Sequence, residues 1–416
     1  MYHSFANQIA QNGEITEYIK YATKHNYTVI YGLVLSPFAK LFGSDPKVLT
    51  IVLTAFMSIT SVLLFDIVRK KTGNMVAFCG VLLYNFLPAG MFQTQLLVHE
   101  TFLLFFGMLG FWLMLRALDK KRRTGIRIVD TVLAGVCVGI GASVNAGGYV
   151  ILISLCIISF VRIVGEKISF KSLVCTISVV LVLAISAISV GGVLSTAAQN
   201  SINTETTEGY CTEKQLPFGW GLYLGMNYET SGVINKEDAD TYHQFEGFET
   251  PEEAKEYQKN LVMERLTHFT ENPGLIPIHL FKKLQVLWGS LWLPFPYAQG
   301  NAVENFIMTG AGGILYKGIY MSNAMVYLAV LSMILVSLKN KVKKGTKEYD
   351  DHYPNLHCKM VIIGVTVALI CFEVSTKYVS HMHILMYAIW MFQLKDFVAR
   401  SNSIREKLVA KLKKAA

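Results

Sequence analysis

"LLVHETFLLFFGMLGFWLMLRALDKKRRTGIR", residues 96–127, decides how the chain is read. Its centre is an apolar run which, as a helix, is long enough to cross about 30 Å of hydrocarbon. One end carries the ionisable pair His99–Glu100, and the other runs into a basic cluster between Arg116 and Arg127. The segment reads as a membrane-spanning helix whose two ends meet different surroundings.

The rest of the chain repeats the pattern. Of 416 residues, 52% are hydrophobic and only 16% are charged, and the mean hydropathy is +0.40. A soluble domain has about 25% charged residues. Spanning helices are predicted near 48–68, 75–92, 99–116, 129–144, 147–162, 172–195, 315–337, 359–373 and 380–394. The expected fold is an all-α polytopic membrane bundle of about nine transmembrane helices.

The formal charge of +9 reports topology rather than a nucleic-acid partner. Short links at 69–74, 116–127, 162–171 and 339–347, together with the tail from Lys395, hold 24 of the 38 Lys and Arg. The links "QTQLL" (93–97) and "NAGG" (145–148) hold none. Alternation of basic and non-basic links is the positive-inside pattern. It puts the C-terminus in the cytoplasm and segment 197–314 outside, and that segment carries 15 of the 29 acidic residues.

This parity divides the chain into five regions. Residues 1–46 form an outer segment, 47–196 the core helices, and 197–314 the long extracytoplasmic loop. Residues 315–394 form the last spanning helices and 395–416 a basic cytoplasmic tail. "SIREKLVAKLKK" in that tail reads as a basic amphipathic helix for an anionic inner leaflet. The stretch "YTVIYGLVLSPFAKLFG" (27–43) reads as a short, partly embedded outer helix, interrupted by Pro37 and Lys40. The alternative is a tenth crossing, which would move Met1 inside. With nine crossings, "MYHSFANQIAQNGEI" (1–15) lies outside with no preceding helix to carry it there. Asp45, next to Pro46, reads as the N-cap of the following helix.

The seven cysteines fit a membrane protein. Cys79, Cys137, Cys156, Cys175 and Cys371 fall in apolar runs, Cys358 borders one, and only Cys211 lies in a polar region. No CxxC or Cys/His cluster implies zinc. In the loop, Thr250 and Pro251 read as the start of a helix that "ENPG" stops. A second amphipathic helix follows, carrying Lys282 and Lys283 and ending near Trp288 and Trp292. Tryptophans at this depth read as an interfacial belt, with sugar stacking as the alternative.

Ionisable residues at a membrane boundary are costly to place, so those gathered at one face carry weight. His99 and Glu100 open a helix, where Glu100 also complements the helix dipole. Asn145 sits in the turn between two helices. Glu373, Lys377, Tyr378, His381 and His383 occupy the last outer link, with Glu373 and Lys377 at an i,i+4 spacing that would let them pair on a helix. A site there suits a substrate with a lipid tail and a charged head. Lys282, Lys283 and Lys377 are cations for a phosphate, and a carboxylate is the base for an attacking hydroxyl.

Taken together, "MYHSFANQIAQNG", "LLVHETFLLFFGMLGFWLM", "GIGASVNAGGYVILI", "GLYLGMNYETSGVINKEDA", "ENPGLIPIHLFKKLQVLWG" and "FEVSTKYVSHMHILM" resemble, in order, the GT-C class of membrane glycosyltransferases. The likeness is to the bacterial branch related to protein mannosyltransferases and aminoarabinose transferases. It implies transfer of a sugar from a polyprenyl-phosphate donor to an extracytoplasmic acceptor, which would be a cell-wall polymer, a glycolipid or a protein. The lipid-linked sugar is then the donor substrate, no resident cofactor is required, and there is room for a divalent cation. By the same likeness Glu100 and His99 are the catalytic candidates. Tyr2, Asn145, Lys282, Lys283, Glu373, Lys377 and Tyr378 are the substrate-binding ones, with no metal ligand among them. Asn145–Ala146 stands where members often carry Arg-Pro, and Lys377 where they carry Arg. The family's first-loop Asp precedes a tyrosine that matches Tyr2, so the expectation is an upstream helix and Asp before Met1. Other readings are an inactive truncated relative, a polysaccharide polymerase or ligase, and a flippase or transporter. Polymerases and ligases favour outer arginines, whereas this loop has only Arg265; transporters show repeated halves and broken midplane helices.

Overall fold

The computed structural model describes residues 2–86, 99–165, 169–202, 219–244, 248, 251–289, 327–328, 353–375, 378–379 and 382–415. Among these, fifteen helices account for the regular structure, and the β pairing is an isolated parallel bridge between Ile15 and Ile202. The chain is an all-α polytopic membrane protein. Among the described residues five helices are long and apolar enough to cross a bilayer: α4 (Pro46–Thr72), α6 (His99–Ala117), α7 (Thr124–Val144), α9 (Phe170–Asn200) and α14 (Tyr353–Cys371). Shorter apolar helices are α5 (Asn74–Phe86), the first part of α8 (Gly147–Gly165) and the first part of α15 (His383–Ala415). Eight of the nine predicted spans coincide with these helices. The ninth, 315–337, lies outside the described residues apart from 327–328.

The helix ends follow local chemistry. The Asp45 side chain accepts from the Lys47 backbone N–H at 2.8 Å with Pro46 in the first turn, so the predicted cap is present. In α4 the hydroxyls of Thr50, Thr54, Ser58, Thr60, Ser61 and Thr72 donate to the carbonyl four residues back, satisfying themselves within the helix. Small residues set how closely helices approach. On α7, a Cβ at Gly135 would stand 2.6 Å from the Leu183 carbonyl oxygen, and one at Gly139 would stand 2.5 Å from that of Ala187. Helix α9 thus lies directly on α7, leaving most of its own surface facing outward.

Opposite charges lock the basic end. Asp66 on α4 accepts from the Trp112 indole at 2.8 Å and pairs with Arg69 and Lys70. Arg116 stacks over the Trp112 ring and lies 3.3 Å from the buried Asp130 of α7. Deeper in the bundle, the Ser154 hydroxyl and His357 Nδ1 are 2.9 Å apart, joining α8 to α14.

The first 45 residues are more structured than an outer loop suggests. Helices α1 (Tyr2–Asn12), α2 (Ile19–Lys24) and α3 (Asn26–Phe42) share a core of Phe5, Ile15, Tyr31 and Leu35 with Phe102 of α6 and Ala198 of α9. Gln8 Oε1 accepts from the N–H groups of Thr16 and Glu17, fixing the chain reversal after α1. Helix α3 runs unbroken through Pro37. Proline removes the N–H that would reach the Leu33 carbonyl, and the Ser36 hydroxyl donates to that carbonyl at 2.8 Å instead. The tail sequence is helical but not separate, since α15 continues from His383 to Ala415 in one piece.

Gly139→Leu drives a side chain into the α9 backbone and is expected to cost about 1–3 kcal/mol. Thermal unfolding in detergent should register the loss, while Gly192→Ala, where nothing lies within 4 Å of the added Cβ, should melt like the parent.

Candidate functional site

Seven residues of the loop, "GWGLYLG" (Gly219–Gly225, α10), organise the end of the bundle opposite the basic links. The Trp220, Tyr223 and Leu224 side chains form a small core with Tyr242 of α11 (Lys236–Gln244) and Leu261 of α12 (Pro251–Glu271). Asn235 and Asp238 cap α11 reciprocally: Asn235 Oδ1 accepts from the Asp238 N–H, and Asp238 Oδ2 accepts from the Asn235 N–H. Asp238 is fully buried and bonded by Arg265 at 2.6 Å, while Arg265 also donates to the Tyr223 carbonyl and stacks on the Tyr223 ring. Arg265 is therefore engaged in holding the loop together.

The backbone of α10 is where three separated motifs meet. The Glu373 N–H donates to the Gly221 carbonyl at 2.9 Å. The Gly225 carbonyl accepts from His279 Nε2 at 2.9 Å and from Lys283 Nζ at 2.8 Å, both on α13 (Leu275–Gly289). Lys283 Nζ also donates to the Phe372 carbonyl at 2.7 Å. Gly225 must be glycine, because a Cβ there would lie 2.6 Å from the Phe372 carbonyl group. The sequence expectation for the two lysines is thereby divided. Lys283 is fully buried with its ammonium engaged by carbonyls, so it clamps the loop to the end of α14. Lys282 is half-buried, 4.7 Å over the Tyr228 ring, and is the one available to an anion.

Other predicted positions resolve as follows. His99 and Glu100 are 6% and 3% exposed, with His99 Nδ1 3.5 Å from Glu100 Oε2. Asn145 is the C-cap of α7, and its Oδ1 accepts from the Gly147 N–H at 2.9 Å, so its carboxamide shapes the turn into α8. Glu373 lies beyond the end of α14 in irregular backbone, and its expected i,i+4 partner Lys377 lies outside the described residues. Tyr378 is half-buried, with its N–H on the Ser375 carbonyl. Tyr2 begins α1. Lys377, His381, Cys211, Thr250 and Trp292 lie outside the described residues. Trp288, read as belt or sugar platform, donates to Thr366 Oγ1 at 3.2 Å and docks α13 on α14. Among the described residues there is no group of three His, Cys, Asp or Glu suited to a metal.

A chain of rings joins the His99–Glu100 pair to α10. Tyr27 lies 5.2 Å from His99 and 5.7 Å from His25 between ring centroids. His25 Nε2 is 3.5 Å from the Tyr242 hydroxyl, and Tyr242 lies 5.7 Å from Trp220. Sequence reading did not single out His25, Tyr27, Trp220 or Tyr242. The local signal was the density of Tyr and His in "EYIKYATKHNYTVIY" (17–31).

Residues 27–190 match the family model described as dolichyl-phosphate-mannose-protein mannosyltransferase. The match spans α3 to most of α9, including His99, Glu100 and Asn145, and supports the GT-C class of membrane glycosyltransferase. No curated protein and no solved structure matches the chain.

Burial holds the Lys283 ammonium down to a pKa of about 8, against 10.5 for an ordinary lysine. The unfolded loop therefore binds the extra proton across that interval, and loop docking should tighten as pH rises from about 8 to about 10.5. Amide protection in 219–234, measured relative to the intrinsic base-catalysed exchange rate at each pH, should increase over that range. Lys283→Met, which takes one donor from each of the Gly225 and Phe372 carbonyls, should lower protection there and remove its pH dependence.

Proposed function

We propose that the chain is a glycosyltransferase that moves a sugar from a polyprenyl-phosphate donor to an extracytoplasmic acceptor. A cell-wall polymer, a glycolipid or a protein would each present the required hydroxyl. The observation that carries the reading is the buried Glu100–His99 pair. It opens a spanning helix inside the matched region, at the same end of the bundle as a docked loop bearing Lys282.

The chemistry assigned to these groups balances as an inverting displacement. The acceptor hydroxyl oxygen attacks the anomeric carbon from the face opposite the phosphate. The bond from that carbon to the phosphate oxygen breaks, and polyprenyl phosphate leaves with the electron pair. Glu100 takes the hydroxyl proton, and His99 orients the carboxylate or relays the proton. Lys282 offsets the charge that develops on the leaving phosphate. Glu373, Lys377, Tyr378, Tyr2 and Asn145 are assigned to binding the sugar and headgroup, and Lys283 keeps the loop seated. The active face is extracytoplasmic and the C-terminus cytoplasmic, in line with the basic links.

Proteoliposomes supplied with radiolabelled polyprenyl-phosphate sugars test the assignment. Glu100→Gln is expected to lower transfer about 10²–10⁴-fold, the usual worth of a positioned acid–base group, without lowering the melting temperature. Turnover equal to the parent's would remove Glu100 from the mechanism.

A further inference from the structure

The ring series between α6 and the loop has a composition that packing does not require. Trp220 and His99 are buried at its ends, but Tyr21, His25, Tyr27 and Tyr242 between them are only half-buried, and each carries a polar atom. Tyr21 and His25 are 4.3 Å apart between ring centroids and tilted by 44°, His25 and Tyr27 stand edge-on, and Tyr242 approaches from a different part of the chain. The series thus has one bank on the first segment and the other on α11, and it ends beside Glu100 through His99.

We infer that this wall is a saccharide subsite: Tyr27, His25 and Tyr242 bind a neutral pyranose beside Glu100. A sugar ring is amphipathic, with C–H faces that lie on aromatic rings and hydroxyls that need donors and acceptors at the edge. Tyr hydroxyls and imidazole nitrogens provide both. His25 Nε2 and the Tyr242 hydroxyl, 3.5 Å apart, form a long hydrogen bond, and a sugar hydroxyl approaching from the side would lie within bonding distance of both. Because its two banks belong to separate segments, the occupied subsite holds α11 to the first segment. The wall therefore couples sugar binding to loop docking. This inference rests on the glycosyltransferase reading for its choice of ligand, but binding is measurable without turnover.

The test uses the full chain in nanodiscs and saturation-transfer NMR. The probes are methyl α-D-mannopyranoside, methyl β-D-glucopyranoside and methyl β-D-galactopyranoside at millimolar concentration. At least one glycoside is expected to receive saturation, most strongly at its ring C–H protons. Tyr27→Ala and Tyr242→Ala should each weaken binding about tenfold, the upper end for one aromatic contact. Tyr27→Phe, which keeps the ring, should retain most of the signal and controls for folding. No transfer to any of the three, or undiminished transfer in both alanine variants, overturns the subsite. Wall-dependent binding without turnover of any lipid-linked donor would leave the subsite standing and sink the transferase. Glu100-dependent turnover with indifferent wall variants would do the reverse.

Discussion

In hydrocarbon no water is available to a backbone N–H or C=O, so each group must find its partner inside the protein. That constraint makes the chain helical, and its effects are visible at single residues. The hydroxyls of α4 turn back onto the helix's own carbonyls. The Leu33 carbonyl, deprived of its donor by Pro37, is served by Ser36. Where the helices stop, the same demand passes to side chains: the carbonyls of Gly225 and Phe372 are closed by the Lys283 ammonium and the His279 ring. A buried cation donating to several carbonyls ties segments that share no helix, and so the loop acquires a definite seat on the bundle.

The seat determines how the site is assembled. The bundle supplies a carboxylate and an imidazole at the first turn of α6, and the loop supplies a cation and aromatic rings. Helix α10 is the common element, because its carbonyls receive bonds from α13 and from the segment after α14, while Trp220 meets Tyr242. Glycine at position 225 is what allows backbone to lie on backbone there.

Much of the fold was legible because hydropathy and capping are local. The predicted spans at 48–68, 99–116 and 172–195 lie within α4, α6 and α9, and Asp45 caps α4 as its position before Pro46 predicted. Local pattern was less informative at 1–46, where a mildly polar stretch folds as three helices whose apolar residues are buried by α6 and α9. The predicted span at 359–373 ends as a helix at Cys371, where the chain turns so that the Glu373 N–H meets α10. Trp288 has the composition of an interfacial belt, and its bond to Thr366 is one that no local pattern announced.

By itself the sequence determined that this is a polytopic helical membrane protein, which links are basic, and that polar residues collect at the other end. Those properties follow from transfer free energies and charge, summed over residues adjacent in the chain. Only the tertiary structure decided which of two neighbouring lysines is a clamp and which lies half-buried over the Tyr228 ring. It likewise decided that Asn145 shapes a turn and that His25 meets Tyr242. Lys283 reaches carbonyls 58 and 89 residues away, and His25 reaches Tyr242 across 217. No local periodicity encodes a contact of that range, because it exists only once separate helices have packed and the loop has found its seat.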